Sequence, residues 1–119
     1  MKGENKIVEL TFEFSLEVIE LYKSLIAKHE FVLSKQLLRS ATSIGANVEE
    51  GIAAQSRNDF ISKMSIASKE ARETRYWLRL LDKGKLVEIN CVHYLISINH
   101  IINILTKIVK TSQENSGKL

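Results

Sequence analysis

The chain has 119 residues, 45% of them hydrophobic and 26% charged, with no proline and a formal net charge of +3. That length supports one domain around one core and excludes a multi-domain enzyme, and the apolar share excludes a disordered chain. No uninterrupted apolar run approaches the roughly 18 residues of a membrane span, and the missing prolines favour helices over sandwiches or barrels.

The opening run Met1-Lys2-Gly3-Glu4-Asn5-Lys6 has no apolar stretch ahead of a small-residue cleavage site, so no secretory leader is expected. Ile7, Leu10, Phe14, Val18, Leu21 and Leu25 then recur at three- and four-residue steps, predicting a helix over about 6–28. A second set (Phe12, Leu16, Ile19, Tyr22 and Ile26) follows the same rhythm, while Glu9, Glu13, Glu17 and Glu20 take the opposite side. The apolar arc spans roughly 220°, about twice what a surface helix needs, so something other than the chain's own core is expected to cover part of it.

The second helix is predicted over 31–55, with Leu33, Leu37, Ala41, Ile44, Val48 and Ile52 on one face. Beside them runs a polar stripe of Gln36, Ser40, Ser43, Asn47 and Glu50. The stretch from Ser40 to Asn47 is poor in helix formers, and a turn splitting the segment is the alternative. The apolar spacing passes through Gly45 without slipping, which favours one helix whose small residues admit a neighbouring backbone.

Ser56, with an acidic residue three positions on at Asp59, is a capping signal for a third helix over 58–83. Its apolar face is Phe60, Met64, Ala67, Ala71, Thr74, Leu78 and Leu81, and Gly84 is the expected stop. Asn90 can cap a fourth helix over 90–111 carrying Cys91, Leu95, Ile98, Ile102, Leu105 and Val109 inward, followed by a tail, 112–119, expected to fray. Four amphipathic helices on short connections predict an all-α fold, an antiparallel up-down-up-down four-helix bundle in a single domain.

Charge is segregated along this order. Residues 4–28 hold five Glu and three Lys, whereas residues 57–85 hold eight basic and four acidic residues. Arg57, Lys69, Arg72, Arg75, Arg79 and Lys83 fall within one arc of roughly 120° on the third helix. A strip of this kind can bind phosphates by releasing condensed counterions, and Arg72, Arg75, Arg79 and Lys83, with Tyr76 beside them to stack on a base, are the candidate nucleic-acid contacts. The plain alternative is a solvated face, or one neutralised by the acidic first helix of a neighbouring subunit. The other side of this helix places Trp77 among Ile66, Leu80, Glu70 and Glu73, either a subunit contact or the closing edge of the core.

Catalytic chemistry is harder to assemble. Cys91 lies on a core face, cannot form an internal disulfide and is read as packing; a lone cysteine also suits a cytoplasmic protein. His93 and His100 stand two turns apart, His29 falls in a loop, and no Glu-x-x-His pair exists to hold a di-metal centre. No Gly-rich phosphate loop or nucleophile elbow is present. No metal, cofactor or enzymatic activity is therefore expected.

The run Gln36-Leu37-Leu38-Arg39-Ser40-Ala41-Thr42-Ser43-Ile44-Gly45-Ala46-Asn47-Val48-Glu49-Glu50 resembles the signature of the four-helix-bundle proteins first noticed as products of intervening sequences in bacterial 23S ribosomal RNA genes. Asp59-Phe60-Ile61-Ser62-Lys63-Met64 and the stretch from Lys69 to Leu78 resemble the same family's second block, and the likeness covers nearly the whole chain. The resemblance implies a bacterial, cytoplasmic homopentamer of undefined biochemical role; related accessory proteins of diversity-generating retroelements bind nucleic acid and a reverse transcriptase. It also implies that Gln36, Arg39, Ser43, Asn47, Glu50 and Glu73, with Trp77 beside them, are determinants of fold or assembly. The family name implies no place in the ribosome. The resulting expectation is a non-enzymatic oligomer that contacts RNA or DNA through its third helix; the alternative is a protein-interaction or scaffold module without nucleic-acid binding.

Overall fold

In a computed structural model, residues 2–117 are described, with side chains over 6–115. Four helices run α1 (Lys2–Ala27), α2 (Leu33–Ile52), α3 (Arg57–Gly84) and α4 (Val92–Gly117). Each packs on the next, and α4 returns to α1 over the smallest of the four contacts. That ring of neighbours fits the up-down-up-down order, and the molecule is a rod of 52 × 22 × 22 Å.

Most of the core is the set of residues that periodicity selects, but Ile52, expected inward, is 41% exposed because it ends α2, and buried Ile101 was not in the pattern. Ile7, Phe14, Val18, Leu21 and Leu25 of α1 are buried against Leu37, Ala41, Ile44 and Val48 of α2 and Met64, Ala67, Ala71, Leu78 and Leu81 of α3. Ile98, Ile101, Ile102 and Leu105 close the core from α4. Truncating any large member to Ala would cost about 2–5 kcal/mol.

Helix α2 is continuous through Gly45. A Cβ there would sit 3.4 Å from the Thr11 carbonyl oxygen, an ordinary packing contact, so α1 lies directly against this stretch of α2. At Gly51 the corresponding position is 3.2 Å from Met64 Cε and 3.3 Å from Lys63 Cβ, a tighter approach turned toward α3.

Helix ends differ from the pattern in instructive ways. Periodicity predicts 31–55 for α2, yet Phe31 and Val32 are exposed outside it and the helix stops at Ile52. Its N-terminus is held by Glu30, whose carboxylate accepts the N–H groups of Val32, Leu33 and Ser34 at 3.2, 3.2 and 2.6 Å. A carboxylate placed there satisfies orphan donors and meets the positive end of the helix dipole. Ser56 does cap α3, accepting the Asp59 N–H at 3.1 Å. Gly84 does not stop α3: it stays helical, and Lys85 takes the left-handed turn with φ 56°. Buried Leu78 and Leu81 hold the last turns against the core, so Gly84 stays in the helix as its final residue and the left-handed turn falls one position later. Asn90 accepts the Val92 N–H at 3.0 Å, so it caps α4 from two residues before its start. The expected frayed tail is corrected as well, because α4 runs on to Gly117 and buries Ser112; residues 118–119 lie outside the described residues.

Among the described residues, one helix, over Val92–Asn115, is long and apolar enough by length and composition to cross a membrane. Much of that apolarity is the face turned to the core. The outward face includes exposed Val92 and Ile96 but also His93, Asn99, His100, Asn103, Lys107 and Lys110.

Candidate functional site

The basic strip forms on α3 because its cations sit opposite the residues that anchor the helix. Met64, Ala67, Ala71, Thr74, Leu78 and Leu81 face inward, and Arg72, Tyr76, Arg79 and Lys83 are exposed, with Arg75 half-buried. Two arginines are engaged by α4: Arg72 donates to Thr106 Oγ1 at 3.1 Å and Arg75 to Asn99 Oδ1 at 2.9 Å. Both acceptors are neutral, so the guanidinium groups are oriented while their charge is left standing. The Lys83 side chain is 86% exposed, and its one carboxylate neighbour among the described residues is Asp82 at 3.9 Å. Tyr76 packs edge-on against Trp77 with ring centroids 5.3 Å apart, leaving half of its surface in solvent.

The motif residues converge on the opposite seam, between α2 and α3. Arg39 bridges Glu70 at 3.3 Å and also pairs with Glu73, whose carboxylate accepts the Trp77 indole N–H at 3.1 Å. Trp77 is half-buried against the core edge, so three motif residues, Arg39, Glu73 and Trp77, form one cluster within the chain. Glu50 pairs with Lys63 at 3.0 Å, and this contact raises the lysine's pKa, first through the hydrogen bond and then through the carboxylate's charge.

The rest of the stripe does less across the seam. Ser43 donates to the Arg39 carbonyl and Asn47 to the Ser43 carbonyl, both within α2, while Gln36 is exposed. The residue that crosses is Ser40, whose Oγ lies 2.8 Å from Thr74 Oγ1 in full burial. The pair is completed by the carbonyls of Glu70 at 2.8 Å and Leu37 at 3.3 Å. Thr74 stood in the apolar pattern of α3, where a hydroxyl needs a buried partner, but only the packing of α2 on α3 shows that the partner is Ser40.

The wide arc of α1 splits as its two rhythms suggest. One face is core; on the other, Phe12 is 56% and Leu16 50% exposed, flanked by exposed Glu9, Glu13 and Glu20. Glu17 turns toward α4, 3.2 Å from His93 Nε2.

Chemistry at the remaining titratable groups is subdued. Cys91 is buried, and desolvation followed by the charge of Asp82 pushes its thiol pKa up, so it stays protonated at neutral pH. Burial also raises the Tyr94 phenol, with Glu17 adding to the shift. No group of three metal-ligating side chains occurs among the described residues. A groove of about 750 Å³ at the end where α2 meets α3 has apolar Phe60, Ile104 and Ile108 with Arg57 and Lys107 among its lining. Sequence periodicity did not reveal it, since it joins the α2–α3 connection to the far end of α4.

A family model described as 23S rRNA-intervening sequence protein matches residues 3–109. Among solved structures, the chain is similar to a protein of unknown function from the S23 ribosomal protein family of Bacteroides thetaiotaomicron. The two share 43% identity over 91% of this chain and 98% of that one, with a TM-score of 0.85. No curated protein matches.

Proposed function

The chain belongs to the 23S rRNA-intervening sequence protein family, whose biochemical role is undefined, and from that premise we propose a non-catalytic bundle that self-assembles and binds RNA or DNA through α3. The observation that carries this reading is the treatment of Arg72 and Arg75. They are held by neutral partners on α4 and stand in line with exposed Arg79 and Lys83. Cations arranged this way keep their charge for an external polyanion and release condensed counterions when phosphates replace them.

Self-assembly is supported separately by the Phe12–Leu16 face of α1. An apolar surface rimmed by carboxylates suits burial against another protein surface. The number of copies, five, comes from the family resemblance described above.

Two measurements test the reading. Fluorescence anisotropy with labelled RNA and DNA oligonucleotides should show binding that weakens steeply with salt and is lost in the Arg79→Glu, Lys83→Glu double variant. Undetectable binding at low salt would refute it and leave the scaffold alternative. Light scattering should show Leu16→Glu lowering the assembled mass while helicity by circular dichroism is retained; an unchanged mass would remove α1 from the interface.

A further inference from the structure

A hollow of about 270 Å³ lies between α3 and α4, lined by Ser65, Ser68 and Arg72 from one helix and Thr106, Lys110 and Gln113 from the other, with Val109 beside them. The spacing explains the convergence. Residues 65, 68 and 72, and residues 106, 110 and 113, are separated by three and four positions, so each trio shares one helix face. The antiparallel pairing then turns the two faces toward one groove, where Arg72 reaches Thr106 at 3.1 Å.

The donor inventory is one-sided. Three hydroxyls, a guanidinium, an ammonium and a side-chain amide line the hollow, and no carboxylate lines it among the described residues. The Thr106 hydroxyl accepts from Arg72 and therefore keeps its own proton to give. A group with several acceptor oxygens and negative charge complements such a set, as charge-assisted bonds to an oxyanion are the strongest available to it. The volume falls below the roughly 300–1,000 Å³ of ordinary small-molecule sites, which suits an ionic group better than a whole cofactor.

We infer that this hollow seats a phosphodiester of the bound nucleic acid, fixing the register of a strand that continues along α3 to Arg79 and Lys83. The inference rests on the nucleic-acid reading above and adds to it a defined oxyanion seat built from both helices. A polyanion is favoured over free phosphate because the cations continue beyond the hollow: Arg72 to Lys83 spans eleven residues, about 16 Å of helix, enough for several phosphates. Phosphate contacts of this kind position a strand without reading its sequence.

The test uses the full chain and the same labelled oligonucleotides, with variants that remove hydroxyls and leave charge untouched and one variant that removes a single charge. The Ser68→Ala, Thr106→Val double variant should bind about tenfold more weakly with an unchanged salt slope, since donors and not charges are lost. Lys110→Gln should reduce the slope of log affinity against log salt by about 0.7–0.9. Ser65→Ala alone deletes one hydroxyl without touching the Arg72–Thr106 bond, and keeps the test valid should the double variant unfold. If wild type binds and these variants bind equally well, the seat is refuted while the α3 reading stands. If wild type binds no oligonucleotide, both fall. Inorganic phosphate that perturbs the amide resonances of residues 65, 68, 106 and 110 while oligonucleotides do not bind would make the hollow a free-phosphate site and overturn the phosphodiester assignment.

Discussion

The two seams of α3 treat arginine in opposite ways. Toward α2, Arg39 is paired with two carboxylates, Glu70 and Glu73, and its charge is neutralised within the chain. Toward α4, Arg72 and Arg75 bond to a hydroxyl and an amide, which fix the side chains without neutralising them. The same residue type is therefore ion-paired on one side and left with an uncompensated charge on the other. The distinction depends on what the neighbouring helix offers, and it could not be inferred from α3 alone.

Charge reversal separates the seams most sharply. Arg79→Glu with Lys83→Glu should weaken nucleic-acid binding by about 100-fold or more at low salt, because several phosphate contacts are lost and repulsion replaces them. Arg39→Glu, measured by the same anisotropy titration, should change that affinity little. A large effect at Arg39 would erase the proposed division.

Stability should show the converse. Arg39→Ala removes the partner of Glu70, whose side chain is only 12% exposed, and should cost about 1–2 kcal/mol in urea denaturation. The value is kept modest because Arg39 itself is half exposed and screened by solvent.

Alkali tests the apolar root of the α3–α4 seam. The raised pKa of buried Cys91 means that above about pH 9.0 the unfolded chain loses this proton before the folded one does. Stability should then fall as pH rises toward the folded-state pKa, by at most about 1.4 kcal/mol per pH unit. Tyr94 adds the same trend above about pH 10.0. Thermal melts of Cys91→Ala should be flatter between those two values.

The smallest effect is expected at Asn99. Its bond to Arg75 is exposed to solvent and ends on a neutral amide, so Asn99→Ala should change stability by less than about 0.5 kcal/mol. A loss several times larger would mean that the α3–α4 seam is as structural as its counterpart.

Much of this architecture was legible in the residues. Ser56 and Asp59 announced the start of α3, and most inward positions followed from three- and four-residue spacing, with Ile52 at the end of α2 and Ile101 on α4 the exceptions. The missed ends have local causes. Glu30 caps α2 from a position that no Ser, Thr or Asp signal marks, and Lys85 accepts a left-handed backbone that glycine would take more cheaply. At the site, the strip was visible on α3, but the groove-lining trio on α4 was not, because nothing in its spacing says which helix it will face.

Composition, periodicity and charge order thus determined the number of helices, their inward faces, the surplus apolar face of α1 and the cationic face of α3. Those properties depend on backbone geometry and on spacing within one helix, which the residues carry themselves. The tertiary structure decided which cations are neutralised, which hydroxyls meet across a seam and where the donors of α3 and α4 converge. Hydrogen bonds and ion pairs of that kind act over about 3 Å, and only the packing of one helix on another brings residues distant in sequence to that distance.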